Sequence, residues 1–191
     1  MNDRELLIGN GVLVMSQETK VTDEAVAKER AKQEEVLERE KQQEIHLYCP
    51  IKGQVLPITK APDEAFAKML LGEGVVIMPE DHTIYSPCDG EVSFLFPTKH
   101  SLIIAEKSGL EVLIHIGKDT IHLEKDIFTV CVKEGQQVKK GDKLIEFDLP
   151  YLQKNAKSSA IPMVVKDLKG KQMTMIKTGL SNEKELIIKI C

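Results

Sequence analysis

Residues 46–191 are predicted to form an all-β domain, an antiparallel β-sandwich or barrel-like fold with short helical segments, behind a charged N-terminal extension at residues 1–45. Three observations predict it. From His46 onward, short runs rich in Val, Ile, Leu and Phe alternate closely with Gly, Pro, Asp and Ser, as strands alternate with turns. The pairs Asp89-Gly90, Ser108-Gly109 and Lys169-Gly170 supply residues that tolerate positive φ between such runs. The connections are also too short for parallel crossovers, which need about a dozen residues, so antiparallel pairing follows.

The extension comes first in the chain. Leu6 to Met15 carries two small apolar clusters around Gly9 and Gly11, equally compatible with the end of an upstream domain, a weak surface anchor or a disordered tail. Val21 to Glu44 is dominated by Glu, Lys, Arg, Gln and Ala and lacks Gly and Pro, which is helix-forming material that Thr22 or Asp23 would cap. Its apolar positions Val26, Val36 and Leu37, with Ile45, are too sparse for a heptad seam, so a solvated helix or charged tether is expected. The expected strands are then Gly53–Ile58, Val75–Pro79, Thr83–Ser86, Glu91–Phe96, Ser101–Glu106, Leu110–Ile116, Phe128–Val132, Lys143–Phe147, Ile161–Lys166, Gln172–Lys177 and Glu185–Ile190. Short helices are expected at Asp63–Leu70 and Pro150–Ala156.

Composition narrows the function classes. A chain of 191 residues holds one well-buried domain plus some extra sequence, and 42% hydrophobic with 29% charged residues is ordinary for a soluble globular protein. The net charge of −4 argues against a general nucleic-acid binder. No apolar run is long enough to cross a bilayer, and Asp3 and Glu5 beside Arg4, with no cleavage signal after Leu6, Leu7 and Ile8, do not read as a secretory signal. A cytoplasmic location is expected. Cys49, Cys88, Cys131 and Cys191 are widely spaced without a C-x-x-C pair, which suits reduced thiols better than a disulfide framework or zinc ribbon.

Two histidines stand out. Along Leu110–Ile116, Val112, Ile114 and Ile116 share one face while Leu113 and His115 share the other, because side chains alternate with a period of two. The Ser108-Gly109 turn folds the preceding segment back, which brings His100 within reach of His115 across neighbouring strands, although one bulge would shift their opposition. Thr98 and the apolar Phe96 and Leu113 surround the pair. His46, His82 and His122 have no such company and are expected at the surface.

Several separated motifs then occur in order: Leu95-Phe96-Pro97-Thr98-Lys99-His100, Glu111-Val112-Leu113-Ile114-His115-Ile116-Gly117-Lys118-Asp119-Thr120, and Val132-Lys133-Glu134-Gly135-Gln136-Gln137-Val138-Lys139-Lys140-Gly141-Asp142. Cys49-Pro50-Ile51-Lys52-Gly53-Gln54-Val55-Leu56-Pro57, Ala65–Gly74, Ser86-Pro87-Cys88-Asp89-Gly90, Glu146-Phe147-Asp148-Leu149 and Ile161-Pro162 extend the pattern. Together they resemble the IIA domain of the glucose family of bacterial phosphotransferase systems over residues 46–191, while nothing comparable covers residues 1–45. The resemblance implies that His115 accepts a phosphoryl group from the phosphocarrier HPr and passes it to a cysteine of a IIB domain of a sugar permease, with only peripheral association with the membrane. It implies His100 as the partner that hydrogen-bonds the phosphoryl oxygens, Thr98 as the residue holding the His100 tautomer, and the Gly117 carbonyl as the group orienting His115. Phe66, Phe96, Leu113, Asp63 and Asp119 would form the surrounding docking face. No cofactor or metal is called for, and sugar selectivity is expected in the membrane-embedded IIC domain. Ser101-Leu102 and Glu124-Lys125-Asp126-Ile127 depart from the family's usual pattern, which puts partner preference and loop shape in doubt.

Three rivals compete with this expectation. Paired imidazoles are common zinc ligands, but no third ligand has convincing spacing and Cys88 suits a core position. The Val132-x-x-Gly135-x-x-Val138-x-x-Gly141-x-x-Leu144 repeat suits a biotinyl or lipoyl carrier, yet the exposed lysine that would carry the cofactor is not evident. A regulatory protein-binding module of the same fold, signalling through its phosphorylation state, is compatible with every motif.

Overall fold

The computed structural model describes residues 25–33, 44–123 and 125–191. The chain divides into two units, residues 1–43 and residues 44–191. In the first, residues 25–33 are helical and exposed, as their composition predicts; Leu6–Met15, the caps Thr22 and Asp23, and the rest of the expected helix up to residue 43 lie outside the described residues.

In the second unit the strands follow in chain order. They are β1 (Ile45–Tyr48), β2 (Gly53–Pro57), β3 (Glu73–Pro79), β4 (Thr83–Tyr85), β5 (Gly90–Leu95), β6 (Ser101–Glu106) and β7 (Glu111–His115), then β8 (Phe128–Val130), β9 (Gln137–Val138), β10 (Lys143–Phe147), β11 (Ile161–Val165), β12 (Met173–Met175), β13 (Gly179–Ser181) and β14 (Leu186–Ile190). They assemble into an eight-stranded sheet of order β13-β2-β3-β11-β7-β6-β5-β9 and two three-stranded sheets, β1-β14-β12 and β4-β10-β8. Every ladder between them is antiparallel, in agreement with the predicted class.

The central strands of the large sheet are buried on both faces. Val75, Ile77, Leu102, Ile104, Val112, Ile114, Met163 and Val165 enter the main core, whereas Val76, Ile103, Leu113 and Val164 enter a smaller cluster with Ile58, Phe66 and Ala160 on the other side. That is why these strands read as nearly continuous apolar runs rather than a clean alternation. Each fully buried aliphatic side chain contributes about 1.5–3 kcal/mol, so the central strands hold the rigid frame of the site.

Two helices are short. α1 (Glu64–Ala67) starts at Asp63, whose carboxylate accepts a hydrogen bond from the Ala65 amide at 2.9 Å, and it ends before the predicted Leu70 because Met69 turns left-handed at φ 56°. α2 (Leu149–Asn155) is capped by Asp148, which accepts from the Tyr151 amide at 3.0 Å. β1, β9 and β13 have no counterpart among the expected strands: β9 has only two residues, β13 is a short edge strand opened by Gly179, and the first strand starts inside the polar run at Ile45, which pairs with Ile190. Gly90 opens β5 instead of making a positive-φ turn. Its missing side chain admits the Ala105 carbonyl, which would lie 2.4 Å from a Cβ there. All four cysteines are unpaired, and burial raises the Cys88 thiol to about 12, which suits a core residue.

Candidate active site

His115 is the last residue of β7 and projects from the face that carries Leu113, away from the main core, as alternation predicts. Its direct partner across the ladder is Ser101, not His100. By parity His100 belongs with Leu102 and would point into the main core. It does not, because the chain leaves the strand before Ser101: Lys99 adopts φ 62°, and the turn is closed by Lys99 N–H to the Phe96 carbonyl (2.8 Å) and Phe96 N–H to the Ser101 carbonyl (3.1 Å). The His100 ring thereby reaches the His115 face, with ring centroids 4.6 Å apart and planes at 79°. Thr98, in the same turn, brings its Oγ1 to 2.7 Å from His100 Nδ1.

The walls are apolar. Phe66 sits edge-on to His115 at 5.5 Å, Phe96 lies 6.0 Å from His100, and Leu113 packs beneath. Burial is the main reason that the His115 pKa falls to about 4; the neighbouring His100 adds to the fall, while the Gly117 carbonyl and Asp63 oppose it. Burial also lowers the His100 pKa, against a smaller opposing effect of the Thr98 backbone. Both rings are therefore neutral at physiological pH. The Gly117 carbonyl acts on His115 without a well-formed hydrogen bond, so Nδ1 is buried and unpaired. With Nδ1 sealed, a group entering the cleft meets Nε2. Gly117 is the one residue type that fits here: at φ 72°, a Cβ would lie 2.6 Å from Thr120 Cγ2 and 3.0 Å from the Ser158 carbonyl.

A cleft of about 150 Å³ opens on the two rings, lined by Asp63, His100, His115, Lys118, Asp119, Thr120 and Ile121. Asp63 thus combines a helix cap with a place at the site, and Asp119 sits in a left-handed turn (φ 59°) with its carboxylate 2.5 Å from Lys157 Nζ. Of the expected docking residues, Phe66 and Leu113 are buried against the histidine pair, while Phe96 is partly exposed. Among the described residues, the exposed apolar side chains around the site include Leu70 (73%), which follows α1 between the exposed Met69 and Leu71, and Ile121 (58%), on the cleft itself. Neither exposure is legible in the sequence, since an apolar side chain outside a strand or helix repeat carries no periodic signal. Lys118, between Gly117 and Asp119, also lines the cleft, a place that no motif in the sequence gives it. His46, His82 and His122 lie outside the cleft, His46 beside Glu44 and His82 beside Asp81. Ser101 is buried and donates to the Ile114 carbonyl at 2.8 Å, so this departure from the family pattern serves the strand pairing. Glu124 lies outside the described residues.

Comparison with known sequences decides what such a site belongs to. The profile of the phosphoenolpyruvate-dependent sugar phosphotransferase system EIIA 1 family matches residues 45–170. The chain belongs to that family. The members of that family are EIIA components of the sugar phosphotransferase system. A glucose-specific EIICBA component from Staphylococcus saprophyticus is 37% identical over 184 residues, which is 96% of this EIIA but 26% of that protein. This EIIA therefore spans about a quarter of the length of that relative. The structure of the glucose permease IIA from Mycoplasma capricolum superposes with a TM-score of 0.74 at 31% identity, over 78% of this EIIA and 96% of that chain.

Proposed function

We propose that His115 is the phosphoryl acceptor of this EIIA, taking the group from phospho-HPr and passing it to a cysteine of a IIB domain. The observation that carries the proposal is the pair of neutral imidazoles 4.6 Å apart at the base of an open cleft, with Nδ1 of His115 sealed. The lone pair of Nε2 attacks phosphorus; the N–P bond forms as the bond to the donor breaks, and that electron pair leaves with the donor. No proton has to be removed first, because the neutral ring keeps its hydrogen on Nδ1. The positive charge that develops on the ring faces the Gly117 carbonyl and makes the imidazole a good leaving group in the next transfer. Because the transition state is loose, alignment and charge stabilisation are the main tasks left to the protein.

His100 supplies part of that stabilisation by donating from Nε2 to the phosphoryl oxygens. The Thr98 hydroxyl suits this role, since it donates to Nδ1 of a neutral ring and accepts from Nδ1 of a protonated one. The contact therefore survives when the incoming negative charge draws a proton onto His100.

Residues 46–191 act as the IIA domain and residues 1–45 as an extension or tether. The protein works in the cytoplasm and meets the membrane only through a permease; among the described residues no helix is long and apolar enough to cross a bilayer. The EIICBA name of the Staphylococcus relative supports IIB and IIC domains as partners, and both relatives' names make glucose uptake the first transport assay.

Labelled phosphoenolpyruvate, Enzyme I and HPr test the reading directly. An acid-labile, base-stable label is expected on His115, and its persistence in His115→Gln would overturn the assignment. His100→Gln is expected to accept label yet pass it to a IIB cysteine about 10²-fold more slowly, the usual loss of one oxyanion donor. Unimpaired transfer would remove the role given to His100.

A further inference from the structure

We infer that Lys118 is a phosphoryl-binding group of this site, its ammonium meeting the oxygens of the phosphate on His115. The inference rests on the assignment of His115 as acceptor and adds a residue that neither the sequence motifs nor the histidine pair requires. Lys118 lines the same cleft as both imidazoles, and its side chain is 28% exposed. Its backbone is pinned: the amide donates to the Ser158 carbonyl at 2.8 Å, and the preceding Gly117 amide donates to the Ala160 carbonyl at 3.0 Å. The stem is therefore fixed at the rim while the head keeps freedom. Nζ donates to the Pro62 carbonyl at 3.0 Å and stands 3.9 Å from Asp63 Oδ2, which is too long for a hydrogen bond. An ammonium has three donors, so two remain for a ligand.

Charge balance points the same way. The cleft wall contains two carboxylates, Asp63 and Asp119, and Asp119 is already matched by Lys157, which is not itself on the wall. A phosphoryl group brings roughly −2 at neutral pH into that setting. Two neutral imidazoles offer hydrogen bonds but no positive charge in the resting state. Lys118 is the sole ammonium among the lining residues, and its contact with Asp63 is long enough to leave its charge to a phosphate.

A variant that preserves the latch to Pro62 separates binding from mere structural support. Lys118→Gln keeps an N–H donor for the Pro62 carbonyl and removes the charge; Lys118→Arg restores the charge. Each full-length protein is phosphorylated with phosphoenolpyruvate, Enzyme I and HPr, and the phosphohistidine is titrated by ³¹P NMR. His100, Asp63 and Asp119 face the same group in all three proteins, so a difference between them isolates Lys118. In Lys118→Gln the phosphate titration midpoint is expected to rise by about one pH unit and the phosphoryl equilibrium to shift about tenfold toward HPr, with Lys118→Arg close to wild type. A labelled His115 with an unmoved ³¹P titration in Lys118→Gln overturns this role alone, whatever happens to the melting temperature. An unlabelled wild type instead overturns the acceptor assignment, and this role with it.

Discussion

His115 combines a task with a cost to stability. Burial first, and the facing His100 second, hold its pKa at about 4, whereas the unfolded chain titrates near 6.5. Between those values the unfolded state binds a proton that the folded state refuses, so stability is full above pH 6.5 and declines as pH falls toward 4. The loss from this ring is about 3 kcal/mol, and His100, displaced in the same direction by burial, adds to it. His115→Gln, which has no charge to gain, is expected to flatten most of this dependence. Urea midpoints measured from pH 4 to 7 check it; a decline as steep as that of wild type would contradict the account. The sequence exposes this residue well, because the alternation of Val112, Ile114 and Ile116 leaves only one face for His115. His100 was half legible: its proximity followed from the Ser108-Gly109 turn, but its orientation depends on the left-handed Lys99, which no periodicity announces.

Among the elements, the turn from Phe96 to Ser101 is the one that sets the His100 ring against His115. Besides its own hydrogen bonds it is tied to a distant segment, since Lys99 Nζ lies 2.5 Å from Asp126 Oδ2 while Asp126 Oδ1 accepts from the Phe128 amide at 3.2 Å. Both charged side chains are substantially exposed, so the pair adds little to stability and its effect is on geometry. Lys99→Met is therefore expected to leave the melting temperature nearly unchanged and to slow transfer from phospho-His115 to IIB several-fold. Adding Asp126→Asn should cost nothing further, because the two residues act as one unit. Transfer rates of the two single variants and the double variant decide this, and additive losses would argue against the tie. It lies in the segment that departs from the family pattern, so the altered loop is compatible with an intact site.

Across residues 44–191, the two ends of the unit are hydrogen-bonded to each other. β1 pairs with β14 through Ile45–Ile190, His46–Lys189 and Leu47–Ile188, and Ile187, Ile188 and Ile190 are fully buried. The family match stops at residue 170, yet removing β14 would strip these isoleucines from the core and uncover Leu47. At about 1.5–3 kcal/mol per side chain, the loss is of the same order as the 5–15 kcal/mol that keeps an ordinary domain folded. A chain ending at Lys184 is accordingly expected to lose its cooperative urea transition. Far-UV circular dichroism is the suitable probe, since the sequence has no Trp; a retained transition would mean that the smaller sheet is dispensable.

The sequence alone determined the class of the fold, the face on which His115 lies and, through motifs in a fixed order, the family. These are local properties: a period of two specifies a side, turn residues specify where the chain reverses, and a motif specifies its own residues. Only the tertiary structure decided that His100 crosses to the His115 face, that Nδ1 is the sealed nitrogen, that Phe66 and Leu113 are buried, and that Lys118 shares the cleft. Each of these depends on segments far apart in the chain meeting at one point, as when Asp63 and Lys118 approach within 3.9 Å. The pattern along one strand says which way a side chain points; what it meets there is set by the packing of the other elements.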